Sequence, residues 1–290
     1  LVEAGREVVV FEKSRSLGGR CASRRWEGCV LDHGAQFFTV RDADFRRFIA
    51  GLGTAVRRIV APVVDADGSV VGADSGREYH VEGNNRLGWA LAEGLDVRRE
   101  TLVERMNQTN GGWEVGGEGF DAVVSCVPWP QTAALLGREA GESPYERNLT
   151  AALLYDTEWA GRAREIYAVS DRSGAALAWS ACENHKGGRV PDGRTLFVVQ
   201  AAADFSEENW DGDRAGWSEF LRGALEARWE VDPAGFVGAF THRWGFSRRI
   251  EAAAIGGLPR GVFVCGDSVA ASRVEAVWLS GRRVAETALG

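Results

Sequence analysis

The chain has 290 residues, 45% hydrophobic and 26% charged, with a formal net charge of -7. Its apolar residues are spread along the whole length, which excludes a mostly disordered protein. No run approaches the ~18 consecutive apolar residues of a bilayer-spanning helix. The acidic balance disfavours nucleic acid and anionic membrane as partners. The cations are almost all arginine, with Lys13 and Lys186 the only lysines. Doublets such as Arg24-Arg25 and Arg248-Arg249 are scattered among acids, whereas a nucleic-acid footprint clusters on one face. The five cysteines (Cys21, Cys29, Cys126, Cys182 and Cys265) are widely spaced, without a CxxC or Cys/His cluster, so no metal site is expected. Cys126 and Cys265 fall in apolar, strand-like runs and are expected as small buried hydrophobes, which suits a reducing cytoplasm.

In chain order, Leu1-Val2-Glu3-Ala4 followed by Gly5 reads as a last helical turn with its glycine cap. Glu7 to Phe11 is a β-branched run typical of a buried parallel strand, ending at Glu12. A turn with Gly18-Gly19 follows, and residues 28–40 read as a polar-then-aromatic loop. Residues 43–51 have the period of an amphipathic helix, with Phe45, Phe48 and Ile49 on one side. Residues 55–82 alternate valine with polar residues around Asp65-Ala66-Asp67-Gly68, a hairpin or meander pattern. From residue 84 to 93 a helix is expected. Strands follow over 96–103, 112–115 and 120–127, stopped by Pro128 and Pro130, and then a helix over 131–136. The region from about 150 to 250 mixes strands such as 196–199 with a helix over 215–229. A last strand, 261–265, delivers Gly266-Asp267-Ser268 to a helix over 274–289.

Two places in this pattern point to chemistry. A carboxylate ending the second strand of a βαβ unit commonly hydrogen-bonds a ribose hydroxyl, so Glu12 and the adjacent Lys13 are candidates. An acid at a strand end can equally be only solvated. Directly downstream, Gly18 and Gly19 let backbone N–H groups approach a ligand, and Arg20 can donate to phosphate; the same residues also make an ordinary turn. Gly266-Asp267 sits at the entry of the last helix, where backbone donors suit an anion and the aspartate suits ligand hydroxyls. A capped turn is the plainer alternative.

Taken together, Glu12, Leu17-Gly18-Gly19-Arg20-Cys21-Ala22-Ser23 and Cys265-Gly266-Asp267-Ser268 resemble FAD-dependent, amine-oxidase-type flavoproteins. Asp32-His33-Gly34-Ala35-Gln36-Phe37-Phe38-Thr39, His242-Arg243-Trp244 and the stretch from Arg273 to Gly281 are more closely similar to renalase and its bacterial relatives. The motifs span nearly the whole chain in the family's order. The resemblance implies FAD as cofactor and an α/β fold, with a Rossmann-like FAD-binding domain interleaved with an α+β substrate domain. The FAD-binding part would be discontinuous, 1–40, 83–130 and 255–290, leaving 41–82 and 131–254 for substrate. Glu12 would bind the adenosine ribose, and Gly18, Gly19 and Arg20 would approach the pyrophosphate and ribityl region. Val103 would contact the adenine side through its backbone, while Gly266 and Asp267 would hold pyrophosphate and ribityl groups. Val274, Glu275 and Ala276 would lie at the isoalloxazine edge. On the substrate side the resemblance places His33, Gln36, His242, Trp244 and Arg273. The competing assignments are a loop cap for His33, core packing for His242 and Trp244, and an ion pair with Glu275 for Arg273.

One departure from the family stands out. Its Gly-x-Gly-x-x-Gly turn and the strand before it have no counterpart here. Position 1 is Leu, and Met106 is the only methionine. The expectation is therefore a chain lacking its natural N-terminus by about two dozen residues, with FAD binding weakened by the loss of phosphate donors.

The activity the resemblance implies is that of an FAD-dependent oxidoreductase. A hydride would pass from a dihydropyridine, such as an NAD(P)H isomer, to flavin N5, with molecular oxygen as acceptor. Such a donor needs no strong general base, which fits a chain with four histidines and no evident acid/base dyad. An amine oxidase of the same fold is an alternative, though neither lysine lies in a flavin-facing segment. A non-catalytic flavoprotein fragment is another. A Gly-Asp-Ser hydrolase is disfavoured because no histidine follows Ser268.

Overall fold

The computed structural model describes residues 1–72, 76–253 and 255–289. Its largest element is a six-stranded sheet, ordered Phe236–Arg249, Tyr145–Tyr155, Thr195–Ala201, Leu177–Cys182, Ala168–Ser170 and Val63–Asp65. All neighbours are antiparallel except the last pair. Tyr145–Tyr155 is buried along nearly its whole length because both faces of the sheet are covered. On one face, helix Arg214–Trp229 lays Trp217, Leu221, Leu225 and Trp229 at four-residue spacing over Leu149, Leu153, Phe197 and Val199. Asp213 caps that helix by accepting from the Gly216 N–H. On the other face, Ala152, Leu154, Leu196 and Val198 pack against Cys29 and Leu31.

Cys29 and Leu31 belong to an antiparallel hairpin, Ser23–Trp26 with Cys29–Asp32, in a region expected as loop. Its two turn residues, Glu27 and Gly28, both have positive φ (49° and 78°), as a two-residue primed turn requires. A glutamate at the first of these positions is not the usual Asn or Asp signal, which is why the hairpin does not show in the sequence.

The other half of the molecule is built from the start, middle and end of the chain. Val9–Phe11 pairs parallel with Asp96–Arg98, and Val123–Ser125 pairs parallel with Val262–Val264. A three-stranded antiparallel unit, Met106–Gln108, Trp113–Val115 and Glu118–Phe120, packs beside them. The closing helix, Val274–Leu289, sets Val274 and Trp278 against Phe38, Phe45, Phe48 and Leu87. Helix Ala43–Gly51 begins where the expected one does, with Asp42 accepting from the Asp44 and Phe45 N–H groups. Val2–Ala4 forms a single 3-10 turn with Gly5 left-handed behind it, at φ 76°.

Several expected elements are shorter than the sequence suggested. The 84–93 helix is Arg86–Leu91, because Asn84 is held elsewhere: its side chain accepts from the His80 N–H at 3.0 Å and donates to the Ala35 carbonyl at 2.9 Å. The 96–103 strand stops at Arg98. Within the expected 55–82 β segment, Val56–Ile59 pairs with Arg77–His80, while Val63–Asp65 leaves to join the large sheet. Residues 73–75 of that segment lie outside the described residues. Among the described residues, no helix is long and apolar enough to cross a membrane.

Candidate functional site

A continuous cleft of about 3930 Å³ runs between the two halves and between the two parallel strand pairs. Single small-molecule pockets are typically ~300–1,000 Å³, so this cleft has room for a dinucleotide and a second molecule. Its walls gather sequence-expected residues from distant segments: Glu12 and Lys13, Gly18 to Arg20, His33 and Gln36, Val103, His242 and Trp244, Asp267, Arg273 and Val274. Gly266, Glu275 and Ala276 do not line it. Glu275 is buried, and its carboxylate accepts from the Arg41 and Asp42 N–H groups at 2.6 and 2.7 Å. It therefore anchors the helix Ala43–Gly51 entry to the last helix, and the ion pair with Arg273 that competed with a ligand role for that arginine is not made.

The Gly18–Gly19 turn owes its shape to close packing. Gly18 has φ 108°, and a Cβ there would stand 2.9 Å from the Asn85 Cα. A Cβ on Gly88 would come within 2.6 Å of the Gly18 nitrogen, so a side chain at either position would force turn and helix apart. A Cβ on Gly19 would meet nothing within 4 Å. Glu12, one strand away, accepts from the Ser14 N–H at 2.7 Å.

Arg20 leaves this turn and forms a two-pronged ion pair with Asp267 across the cleft edge. Tyr145 and Ser272 also donate to that carboxylate, at 3.2 and 2.9 Å. Two guanidinium donors and two hydroxyls occupy the four acceptor positions of a carboxylate. Asp267 is only 2% exposed. The sequence pattern suggested that Arg20 meets phosphate and Asp267 meets ligand hydroxyls separately; in the fold each holds the other. A ligand would reach them only by opening or bridging the pair.

Facing the cleft from the other side is an aromatic wall. His33 stacks on Trp244 with ring centroids 5.5 Å apart at 22°, and lies 4.9 Å from His242 and 5.3 Å from Phe240. Trp244 Nε1 donates to the His33 carbonyl at 2.9 Å. Phe240, His242 and Trp244 alternate along one strand and so share a face. Phe240 is not among the sequence-expected site residues, although that alternation was a signal for it. Burial, then the neighbouring His242, pulls the His33 pKa down to about 4, with Asp32 opposing. Burial and Arg214 lower His242 as well. Both imidazoles are therefore neutral at pH 7. His33 Nδ1 and Gln36 Oε1 are buried polar atoms with no protein partner, while Gln36 Nε2 donates to the Asp32 carbonyl.

Behind His33 lies a sealed charge cluster. Asp32 meets Lys186 Nζ at 2.9 Å and Arg189 at 2.5 Å; Glu183 meets the same two cations at 2.7 and 3.2 Å. All four side chains are fully buried. The Asn84 N–H and Ser23 hydroxyl complete the shell of Asp32, at 2.9 and 2.6 Å. Burial works to raise the Asp32 pKa, but Lys186 and Arg189 outweigh it and hold the group at about 2. Burial raises Glu183 against the pull of the same cations. Lys186, Arg189 and Glu183 do not line the cleft, so the cluster positions the His33 strand end without touching a ligand.

Residues 1–52 match the NAD(P)-binding Rossmann-like domain family. Over nearly the whole chain the fold is similar to that of a double mutant of putrescine oxidase with redesigned cofactor binding, at 12% identity and a TM-score of 0.73, covering 99% of this chain and 94% of that one. It is similar to a protein assigned as a protoporphyrinogen oxidase from an Exiguobacterium species, at 12% identity and a TM-score of 0.73, covering 97% and 92%. Cyclohexylamine oxidase from Brevibacterium oxydans matches at 10% identity and a TM-score of 0.73, covering 99% and 94%. The likeness at these identities is one of fold. The α/β architecture with a Rossmann-like portion, expected from the sequence, is the one the chain adopts.

Proposed function

We propose that this chain is an FAD-dependent oxidoreductase of the cytoplasm, divided into the two interleaved regions expected from the sequence. Its substrate would be a dihydropyridine such as an NAD(P)H isomer, with molecular oxygen as the electron acceptor. The observation that carries this reading is the single cleft that gathers Glu12, the Gly18–Arg20 turn, Asp267 and the His33–Gln36 segment from opposite ends of the chain. The residues fit the cofactor in kind: an acid at a parallel strand end for ribose, an open glycine turn for phosphate, and a carboxylate–guanidinium pair for polyol and phosphate together. The unpartnered His33 Nδ1 and Gln36 Oε1 would be satisfied by a bound polar ring.

FAD, when bound, supplies a hydride acceptor that passes its electrons on to oxygen. The chain's part is orientation and exclusion of water. Trp244 and His242, their ring centroids 4.3 Å apart and tilted 56° to each other, offer an aromatic corner for a planar heterocycle, and Trp244 fixes the His33 backbone through its indole N–H. Neutral His33 and His242 do not repel a cationic or neutral donor, and their lowered pKa values make them weak bases, which suits a donor that needs no base. Arg24, Arg147, Arg243 and Arg248 line the same cleft, which favours a phosphate-bearing substrate over a cationic one.

An amine oxidase of this fold is the second reading. It draws on the aromatic wall and on the likeness to the putrescine and cyclohexylamine oxidases. Against it, Lys186 is spent inside the buried cluster and the cleft is rich in arginine. Flavin-loaded protein mixed anaerobically with isomerised NADH and, separately, with an amine panel decides between them. We expect bleaching of the flavin by the dihydropyridine alone. Bleaching by amines alone replaces the first reading with the second. Uptake of flavin with no reduction by either makes the chain a non-catalytic flavoprotein, and no uptake rejects all three.

A further inference from the structure

Val123–Ser125 and Val262–Val264 run parallel with Ser125 opposite Val264. The next residue on each strand is a cysteine, so Cys126 and Cys265 meet side by side where the ladder ends. Both are free thiols, and their sulfurs are 3.0 Å apart. Neighbouring strands lie about 4.8 Å apart, inside the ~4.4–6.8 Å Cα separation that disulfides span. The last ladder bond, from the Cys265 N–H to the Ser125 carbonyl at 2.9 Å, fixes the pair's register. Beyond it the chains diverge, through Pro128 on one side and through Gly266, with φ 82°, on the other. The ends are thus free to close the roughly 1 Å that separates contact from a bond of ~2.05 Å.

From the sequence both cysteines are expected to be inert and buried. Cys265 is buried, at 5% exposure. Cys126 is not: it is exposed, and it lines the cleft together with its partner. We propose that Cys126 and Cys265 are a redox-active pair, which a hydroperoxide entering the cleft converts to an intrachain disulfide tying the two strand ends together.

The Cys126 thiolate attacks the peroxide O–O bond, forming an S–O bond and expelling hydroxide or alkoxide, which takes up the proton released by the thiol. The Cys265 sulfur then attacks the Cys126 sulfenic acid. The S–S bond forms, the S–O bond breaks, and the second thiol proton leaves with the oxygen as water. Two thiols lose two electrons and two protons, and one hydroperoxide is reduced to an alcohol, or to water, plus water.

The division of labour follows from the contact. A hydrogen bond from the Cys265 thiol favours Cys126 as thiolate, and the same bond pushes Cys265 up. The other three thiols lack such help. Burial pushes Cys21 and Cys182 up to about 12 and raises Cys29 as well, so they remain unreactive thiols. The bond would join residues 139 positions apart in sequence, one strand of which delivers Asp267 to the cleft. The chemistry of the pair is independent of any bound flavin.

The test uses the reduced chain treated with equimolar hydrogen peroxide, then unfolded in denaturant, blocked with an alkylating reagent and weighed intact. We expect three of the five thiols to remain alkylatable, a Cys126–Cys265 linked peptide in a non-reducing digest, and full reversal by dithiothreitol. The oxidised protein should melt higher by about 5 °C, since a long loop is closed. In Cys265→Ser the cross-link is lost, and Cys126 should instead be labelled by a sulfenic-acid-trapping dione. In Cys126→Ser neither product forms. Five alkylatable thiols after oxidation, a linkage through Cys21, Cys29 or Cys182, or oxygen addition at Cys126 in the wild type without a cross-link overturns the proposal.

Discussion

The Asp32–Glu183–Lys186–Arg189 cluster and the Arg20–Asp267 pair are both built from carboxylates and long cations, yet they stand in opposite relation to the cleft. The first is fully buried, has two charges of each sign, and contributes none of its cations to the cleft wall. The second keeps Arg20 29% exposed at the cleft edge, with Asp267 behind it. Burial makes the first cluster's charges depend wholly on one another, because an unpaired charge in that interior has no water to turn to. Exposure lets the second exchange a protein partner for a ligand. Charge pairing alone thus says little about function; what decides is whether a third party can reach the pair.

Substitutions that separate the two clusters should test that contrast, beginning with the largest effect. Asp32→Ala leaves Lys186 and Arg189 with one carboxylate between them, and should cost about 3–5 kcal/mol in urea denaturation. A loss below 1 kcal/mol would mean that the cluster does not anchor the His33 strand end. Acid should act on the same region through His33. Its folded pKa of about 4 lies below the ordinary 6.5, so the unfolded chain takes up the proton first as pH falls. Stability from this group is full above pH 6.5 and declines until pH 4, by about 3 kcal/mol. Asp32, held at about 2, adds a further loss only as pH drops from the ordinary carboxylate range towards 2. His33→Gln should flatten the upper part of that decline, and urea midpoints at pH 7, 5.5 and 4.5 would reveal it.

At the cleft, Asp267→Asn should cost less stability, about 2 kcal/mol from weakened charge-assisted bonds. It should lower flavin affinity ~10-fold or more, read by fluorescence titration. Equal affinity in the variant would remove Asp267 from the cofactor site while leaving the buried cluster untouched. The smallest effect belongs to the exposed Arg282–Asp44 pair: Arg282→Ala should change stability by less than about 1 kcal/mol, and a larger loss would show that burial does not decide what a charge pair contributes.

The Rossmann-like half was legible because its signals are local. A β-branched strand ending in Glu12, a double glycine beside Arg20, and a strand delivering Gly266-Asp267 to a helix each occupy a few consecutive residues. Helices Ala43–Gly51, Arg214–Trp229 and Val274–Leu289 were readable from apolar period and caps. The six-stranded sheet was not. Tyr145–Tyr155 is covered on both faces and shows no alternation, so its periodicity is that of any buried segment. The cleft could be partly drawn up from motifs, but Glu275 belongs to a helix anchor, and Cys126, expected as an inert core residue, faces the cleft.

By itself, then, the sequence determined the locally signalled elements, such as the strand ending at Glu12 and the helices Ala43–Gly51, Arg214–Trp229 and Val274–Leu289, and which residue types stand at their ends, because propensity, capping and spacing act within a few positions. Only the tertiary structure decided which of those ends meet. It joined Asp32 to Lys186 across 154 positions, Arg20 to Asp267 across 247, and Cys126 to Cys265 across 139. Such pairings follow from how sheets stack and which volume is left between them, and packing of that kind leaves no periodic trace along the chain.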